Sequence, residues 1–351
     1  MKRAILAVGV MLPAMAGMAG AQQSKGALVV GPVSAAPAST VSGSLDVPAR
    51  GGDSGTTIPI TVINGATPGP VLALVAGTHG MEYVPIIAMQ RVRRAIDPRT
   101  LRGAVIIVQV ANMPSFLGRT IYYSPADGKN LNRVFPGKAD GTLSERIADV
   151  ITREVIARAT HLVDLHCGDG NESLRPYTYW ITTGDPKVAA AGREMALAFG
   201  LGSIVIDGAR PTDPAASVYL SNTAITRGKP AITTEAGGLA VVDEESIRLI
   251  EGGVERLLVN LGMTLGSPPP HPPTVWIGQN EVVRAGVTGI FWAEATRGQM
   301  VKKGEALGRI TDFHGLLLER LVAPFDGEVL YVIGTPPITK GEPIAMVGVR
   351  K

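Results

Sequence analysis

The sequence predicts an α/β fold: a mixed, mostly parallel sheet with helices on both faces, followed by a small C-terminal all-β domain. Three observations carry this expectation. Short apolar runs bounded by Gly and Pro alternate with stretches of helical period between residues 51 and 266, the pattern of strands joined by covering helices. The composition then breaks at the run SPPPHPP, 267–273, a stiff and extended linker occupying 267–274. Beyond it, 275–351 consists of short strand-like runs and turns with almost no helical period.

Taken in order, residues 1–21 read as an export signal. Lys2 and Arg3 form a basic start, an apolar run follows, and Ala19-Gly20-Ala21 is a small-x-small cleavage site. The run is too short to span a bilayer comfortably, and no cysteine stands near the cleavage point to carry a lipid. The expected location is periplasmic or secreted, with no membrane anchor after cleavage. Residues 22–50, rich in Ala, Ser, Gly and Pro, are expected to be a flexible lead-in. Strands are expected at 58–63, 70–76, 104–111, 161–165, 203–207 and 230–234. Helices are expected at 144–159, opened by a Thr142/Glu145 capping box, at 186–199, and at 243–260 with Asp243 as cap. The formal charge of +3 falls to about +1 without Lys2 and Arg3, which is no electrostatic footprint for nucleic acid. The single cysteine, Cys167, excludes an intrachain disulfide.

The chemistry-bearing residues stand at strand ends. GTHGME, 77–82, follows the strand at 70–76, and sites in open α/β sheets form outside the carboxyl ends of strands. His79 and Glu82 are three apart, so both can reach one point. DLHC, 164–167, ends a second strand, and His166 supplies a third ligand. Two His and one Glu leave a fourth zinc position open, as in catalytic sites. Side-chain alternation turns Cys167 away from His166, as a small buried apolar residue. Asp164 shares the face of His166 and either orients it or is structural. Glu235 lies between Thr233-Thr234 and Ala-Gly-Gly, the context of another strand end, with Gly237 and Gly238 leaving room for backbone to approach a substrate. The segments 169–172 and 177–180 either line the pocket or are loop and core.

Five motifs occur in order: GTHGMEY, ANMPSF, DGKNLNRVFPG, DLHCGDG and TTEAGG. Together they resemble the succinylglutamate desuccinylase/aspartoacylase family, a branch of the zinc carboxypeptidase superfamily, over roughly residues 55–350. The resemblance implies a zinc carboxypeptidase-like fold for 51–266 and one Zn2+ per chain on His79, Glu82 and His166. It implies a substrate-carboxylate pair in Asn132 and Arg133, a catalytic Glu235, and Arg119 as the group polarising the scissile carbonyl. Asn130 replaces the Asp that aspartoacylases proper carry there, so their acyl specificity is not carried over. The implied activity is hydrolysis of the amide of an N-acyl amino acid or a similar small carboxylate-bearing substrate. A metallocarboxypeptidase acting on peptide ends shares the same residues, so the motifs do not separate the two. A non-catalytic exported metal- or ligand-binding protein has no need of a base such as Glu235. A homo-oligomer is compatible with the sequence.

Residues 275–351 resemble the barrel-sandwich fold of biotinyl and lipoyl carrier domains. VKKGEALGRI, 301–310, echoes ITKGEPIAMV, 338–347, which implies internal pseudo-symmetry. No lysine lies between Lys303 and Lys340, so a covalent carrier role fails and a structural or lid role is expected.

Overall fold

The computed structural model describes residues 26–351, and the export-signal reading of 1–21 lies outside the described residues. The flexible lead-in expected at 22–50 is corrected where it is described. β1 (Leu28–Val30) and β2 (Val33–Ala35) form a hairpin, and β3 (Ser39–Val47) pairs along its whole length with β4 (Thr56–Asn64). Val30, Val33, Ala35, Leu45 and Val47 are buried in the main core. The intervening Ser, Gly and Thr obscure the alternation in the sequence, yet they suit an edge strand with one wet face.

The next strands are β5 (Thr67–Ala76), β6 (Arg102–Val108), β7 (His161–His166), β8 (Glu172–Leu174), β9 (Tyr177–Ile181), β10 (Ser203–Asp207) and β11 (Ala231–Glu235). Those of the main sheet lie in the order β10-β9-β11-β7-β5-β6-β4-β3. Its middle, β11-β7-β5-β6, is parallel, whereas β9 runs antiparallel to β11 and β4 to β6. A parallel centre needs apolar cover on both faces. β5 accordingly sends Val71, Ala73 and Val75 into one core and Leu72, Leu74 and Ala76 into the other.

The helices are α1 (Tyr83–Ala95), α2 (Met113–Gly118), α3 (Leu143–Val150), α4 (Pro186–Phe199), α5 (Leu220–Ile225) and α6 (Glu244–Asn260). α1, α4 and α6 fill one core, and α3 and α5 contribute to the other. The helix expected at 144–159 is α3 continued by a wider π turn, Ile151–Ile156, with Glu145 Oε2 accepting from the Thr142 amide at 2.9 Å. α6 is capped by Asp243, which accepts from the Ser246 amide at 2.7 Å. α1 was not legible as a helix, because Pro85 stands in its first turn and its buried residues crowd into the first half, Val84 to Met89, which leaves little amphipathic period.

The C-terminal region comprises β12 (Val275–Arg284), β13 (Gly289–Ala293), β14 (Met300–Val301), β15 (Ala306–Thr311), β16 (Leu317–Val322), β17 (Gly327–Ile333), β18 (Pro337–Ile338) and β19 (Pro343–Arg350). β12 starts parallel to β10 and then pairs antiparallel with β19. The order β14-β17-β19-β12 therefore continues the main sheet, while β16-β15-β13-β18 forms a second sheet. The two KGE turns are built alike. Glu305 Oε2 accepts from the Lys302 amide at 2.9 Å and Glu342 Oε2 from the Thr339 amide at 2.7 Å. Gly304 and Gly341 donate to Ala323 and Ala285 carbonyls at 2.9 and 2.8 Å, with φ of +83° and +90° that only glycine adopts without strain.

Candidate active site

The parallel centre of the sheet brings the chemistry to one edge. After β5 the chain turns at Gly77, whose φ is +69° and whose Cβ, were one present, would lie 3.0 Å from Val110 Cα. His79 follows in this turn, and Glu82 is the N-cap residue of α1 without making a capping hydrogen bond. Both ligand candidates thus sit before the helix rather than on one helical turn. Register pairs His166 on β7 with Glu235 on β11, and Glu235 in turn with Tyr177 on β9.

His79, Glu82 and His166 are all buried and offer ligand atoms within 4.8 Å of one another. Glu82 Oε1 lies 2.7 Å from His79 Nδ1, and Oε2 lies 2.8 Å from His166 Nδ1. The far nitrogens are held from behind. His79 Nε2 meets Asn130 Oδ1 at 3.1 Å, and His166 Nε2 meets Asp164 Oδ1 at 2.9 Å. With both Nε2 atoms engaged from behind, each Nδ1 faces Glu82 across the shared space, the direction from which the two imidazoles could ligate one metal ion. Glu82 Oε2 is buried without a hydrogen bond of good alignment. The donor set is therefore one that a divalent zinc ion fits.

The charges agree with this. Burial pulls His79 down, but the charge and hydrogen bond of Glu82 outweigh it and raise the imidazole above its usual range. Burial likewise opposes His166, and Asp164 and Glu82 raise it well above. Burial would lift Glu82, yet His166 and His79 bring it down to about 2. The two imidazoles are thus biased toward holding protons beside an ionised Glu82, and a bound cation would displace those protons. Glu235 is the opposite case: burial pushes its carboxyl well up, only partly countered by His166, and Glu82, Glu172 and Asp164 add to the rise. Its Oε2 is buried with no partner among the described residues.

These residues line a cavity of about 870 Å³, a size suited to a small molecule. Arg133 also lines it, with its guanidinium 4.7 Å from the centre of the Tyr219 ring and Nη1 donating to the Asn132 carbonyl at 2.8 Å. Asn132 is committed inward. Its Nδ2 donates to Asp164 Oδ2 at 3.3 Å and lies 3.1 Å from His166 Nε2, and its Oδ1 accepts from the Leu220 amide at 2.8 Å. It positions the carboxylate–histidine pair rather than offering a free donor to a substrate. Arg119 is corrected. It caps α2 in the left-handed conformation, φ +51°, is exposed, and does not line the cavity. The segment between ANMPSF and NLNR places another group at that wall: Tyr122, whose ring meets His79 edge-on at 5.8 Å.

Gly238 also differs from expectation, since a Cβ there would lie 2.3 Å from the Glu172 carbonyl oxygen, so it makes room for protein and not for substrate. Cys167 packs in the core on the opposite face from His166, as alternation requires. Alternation also resolves 177–180: Tyr177 and Tyr179 line the cavity, while Trp180 turns away to Trp276. Arg210, Tyr219, Arg284 and Tyr331 line the cavity as well and were missed. Arg210 and Tyr219 lie outside strands and long helices, and Arg284 and Tyr331 come from the C-terminal region, so no local spacing links them to the metal motif.

Comparison with known proteins agrees with the geometry. The pattern of the succinylglutamate desuccinylase/aspartoacylase catalytic domain matches residues 68–261. N-alpha-acetyl-L-2,4-diaminobutyric acid deacetylase of Halomonas elongata is 32% identical over 261 residues, 73% of this chain and 74% of the relative. A product-bound structure of the ectoine utilization protein EutE (DoeB) from Ruegeria pomeroyi is similar with a TM-score of 0.79 and 29% identity, covering 88% of this chain and 95% of that one. A succinylglutamate desuccinylase/aspartoacylase from Rhodobacter sphaeroides gives a TM-score of 0.78 at 28% identity, covering 89% and 96%. The ordered motifs, the shared architecture through the C-terminal β region and the matched domain lead to one conclusion: this chain belongs to the succinylglutamate desuccinylase/aspartoacylase family.

Proposed function

We propose that this chain is a zinc-dependent deacylase that hydrolyses the amide bond of an N-acyl amino acid. The observation that carries the reading is the convergence of His79, Glu82 and His166 beside Glu235 at the carboxyl edge of the parallel strands. The fold is then of the zinc carboxypeptidase type, and a deacetylase among the relatives supports acetyl as the first acyl group to test. Zinc held by the two Nδ1 atoms and the Glu82 carboxylate would act as a Lewis acid on the acyl carbonyl and make water nucleophilic at neutral pH.

The chain's own groups account for the remaining roles. Glu235 takes a proton from the attacking water on a carboxylate oxygen and delivers it to the departing amine. Its partnerless buried oxygen and raised pKa suit a group that must both accept and return a proton. Arg133 presents free N–H groups of a planar fork to the substrate carboxylate, and stacking on Tyr219 holds that fork in place. Asn132, Asn130 and Asp164 fix the two imidazoles.

Zinc-replete protein incubated with N-acetyl and N-succinyl amino acids should release free amine. Glu235→Gln should lower kcat by about 10²–10⁴-fold while keeping its zinc. Undiminished turnover in that variant would remove Glu235 from the mechanism, and release of terminal residues from peptides instead would make the chain a carboxypeptidase.

A further inference from the structure

Four carboxylates line the cavity: Glu82, Glu172, Asp207 and Glu235. Three have work already. Glu82 faces the two histidines, Asp207 pairs with Arg210 at 2.5 Å, and Glu235 is the proposed base. Glu172 remains. Its Oε1 accepts from Tyr122 Oη at 2.6 Å, and no lysine or arginine among the described residues pairs with it. Nearby Asp169 is no rival, since its two oxygens accept from the Tyr122 and Gly170 amides at 2.8 and 2.7 Å.

Glu172 is also placed with care. It opens β8, whose pairing with β17 sets Glu172 opposite Ile333. Its carbonyl accepts from the Leu239 amide at 3.0 Å, in the close approach that Gly238 permits. Tyr122, whose hydroxyl donates to it, has a backbone φ of +56°, an uncommon conformation for a bulky residue. Tyr122, Tyr177, Tyr179 and Tyr331 supply aromatic walls to the same cavity, surroundings that favour a cation.

The same cavity carries the converse imbalance. Arg133 and Arg284 donate to the carbonyls of Asn132 and Gly341 at 2.8 and 3.0 Å, and neither meets a carboxylate among the described residues. A cavity with a guanidinium lacking its anion and a carboxylate lacking its cation is complementary to a substrate bearing both charges.

We infer that Glu172 is a specificity residue that receives a free ammonium group of the substrate, so that the preferred substrates are mono-N-acylated diamino acids. The inference rests on the deacylase reading and deepens it. Burial, with Glu82 and Asp169, lifts Glu172 to about 7 despite the Tyr122 hydrogen bond. An arriving ammonium would favour its charged form.

The test compares kcat/KM of zinc-replete protein on Nα-acetyl-2,4-diaminobutyrate, Nα-acetylornithine and Nα-acetyllysine with that on N-acetylnorvaline and N-acetylnorleucine. Wild type should prefer the best cationic substrate by about tenfold or more, the scale of a hydrogen-bonded charge pair. Glu172→Gln keeps an acceptor for Tyr122 and removes the charge, so the ratio of cationic to neutral kcat/KM should fall about tenfold. A merely structural role would lower both classes together and leave the ratio unmoved, which would overturn the inference. So would a wild type that cleaves both classes equally, and that result leaves the deacylase reading standing. Release of amine from none of the N-acyl amino acids would overturn the deacylase reading itself.

Discussion

The central parallel strands and the C-terminal β region share one sheet and divide the labour. β7 and β11 end in His166 and Glu235, and β5 leads into His79 and Glu82, so their carboxyl edge gathers buried titratable groups. The C-terminal region is built from a repeated hairpin around an apolar core, and it sends Arg284, Tyr331, Pro343 and Met346 to the cavity wall. In the first region a small chemical change should end turnover and spare the fold. In the second, a core change should weaken the fold and spare the chemistry of each folded molecule. The lesson is that buried charge marks the working edge, whereas buried hydrocarbon marks its support.

The sharpest contrast comes from single substitutions on each side. Asp164→Asn removes the charge behind His166 and should weaken zinc affinity by about 10–100-fold, read by competition with a chelator, with the melting temperature of the metal-free protein little changed. Full affinity in that variant would detach Asp164 from the metal site. Ile344→Ala, at a fully buried position of β19, should cost about 2–5 kcal/mol by denaturant unfolding with zinc stoichiometry intact. Loss of zinc from the folded variant would break the proposed division.

A smaller effect concerns His161 at the start of β7. Burial lowers its imidazole to about 4, and its Nδ1 lies 2.8 Å from Thr160 Oγ1. Between pH 6.5 and about 4 the unfolded chain binds a proton that the folded chain does not. Stability therefore falls as pH drops through that window, by at most about 1.4 kcal/mol per unit for this group. His161→Gln should flatten that slope in denaturant unfolding, and an unchanged slope would show that His161 titrates alike in both states.

Much of this was legible in the sequence, and for stated reasons. The apolar runs of β4, β5, β6 and β7 announced a doubly covered sheet, and Asp243 marked the start of α6. His79, Glu82, His166 and Glu235 were findable because each follows or ends such a run. β3 and α1 were hidden, the first by small polar residues on its wet face and the second by burial and Pro85. Arg119 was misplaced because the loop after α2 has no period to count along. Arg210, Arg284 and Tyr331 reach the cavity through tertiary packing between distant segments, which no local pattern encodes.

The most direct test is the zinc content of desalted, zinc-loaded protein, with an anomalous-scattering map, for the wild type and His79→Ala. About one zinc per chain is expected in the wild type, between residues 79, 82 and 166, and less than about a tenth of that in the variant. Stoichiometric zinc in His79→Ala, or an anomalous peak away from those three side chains, would contradict the account.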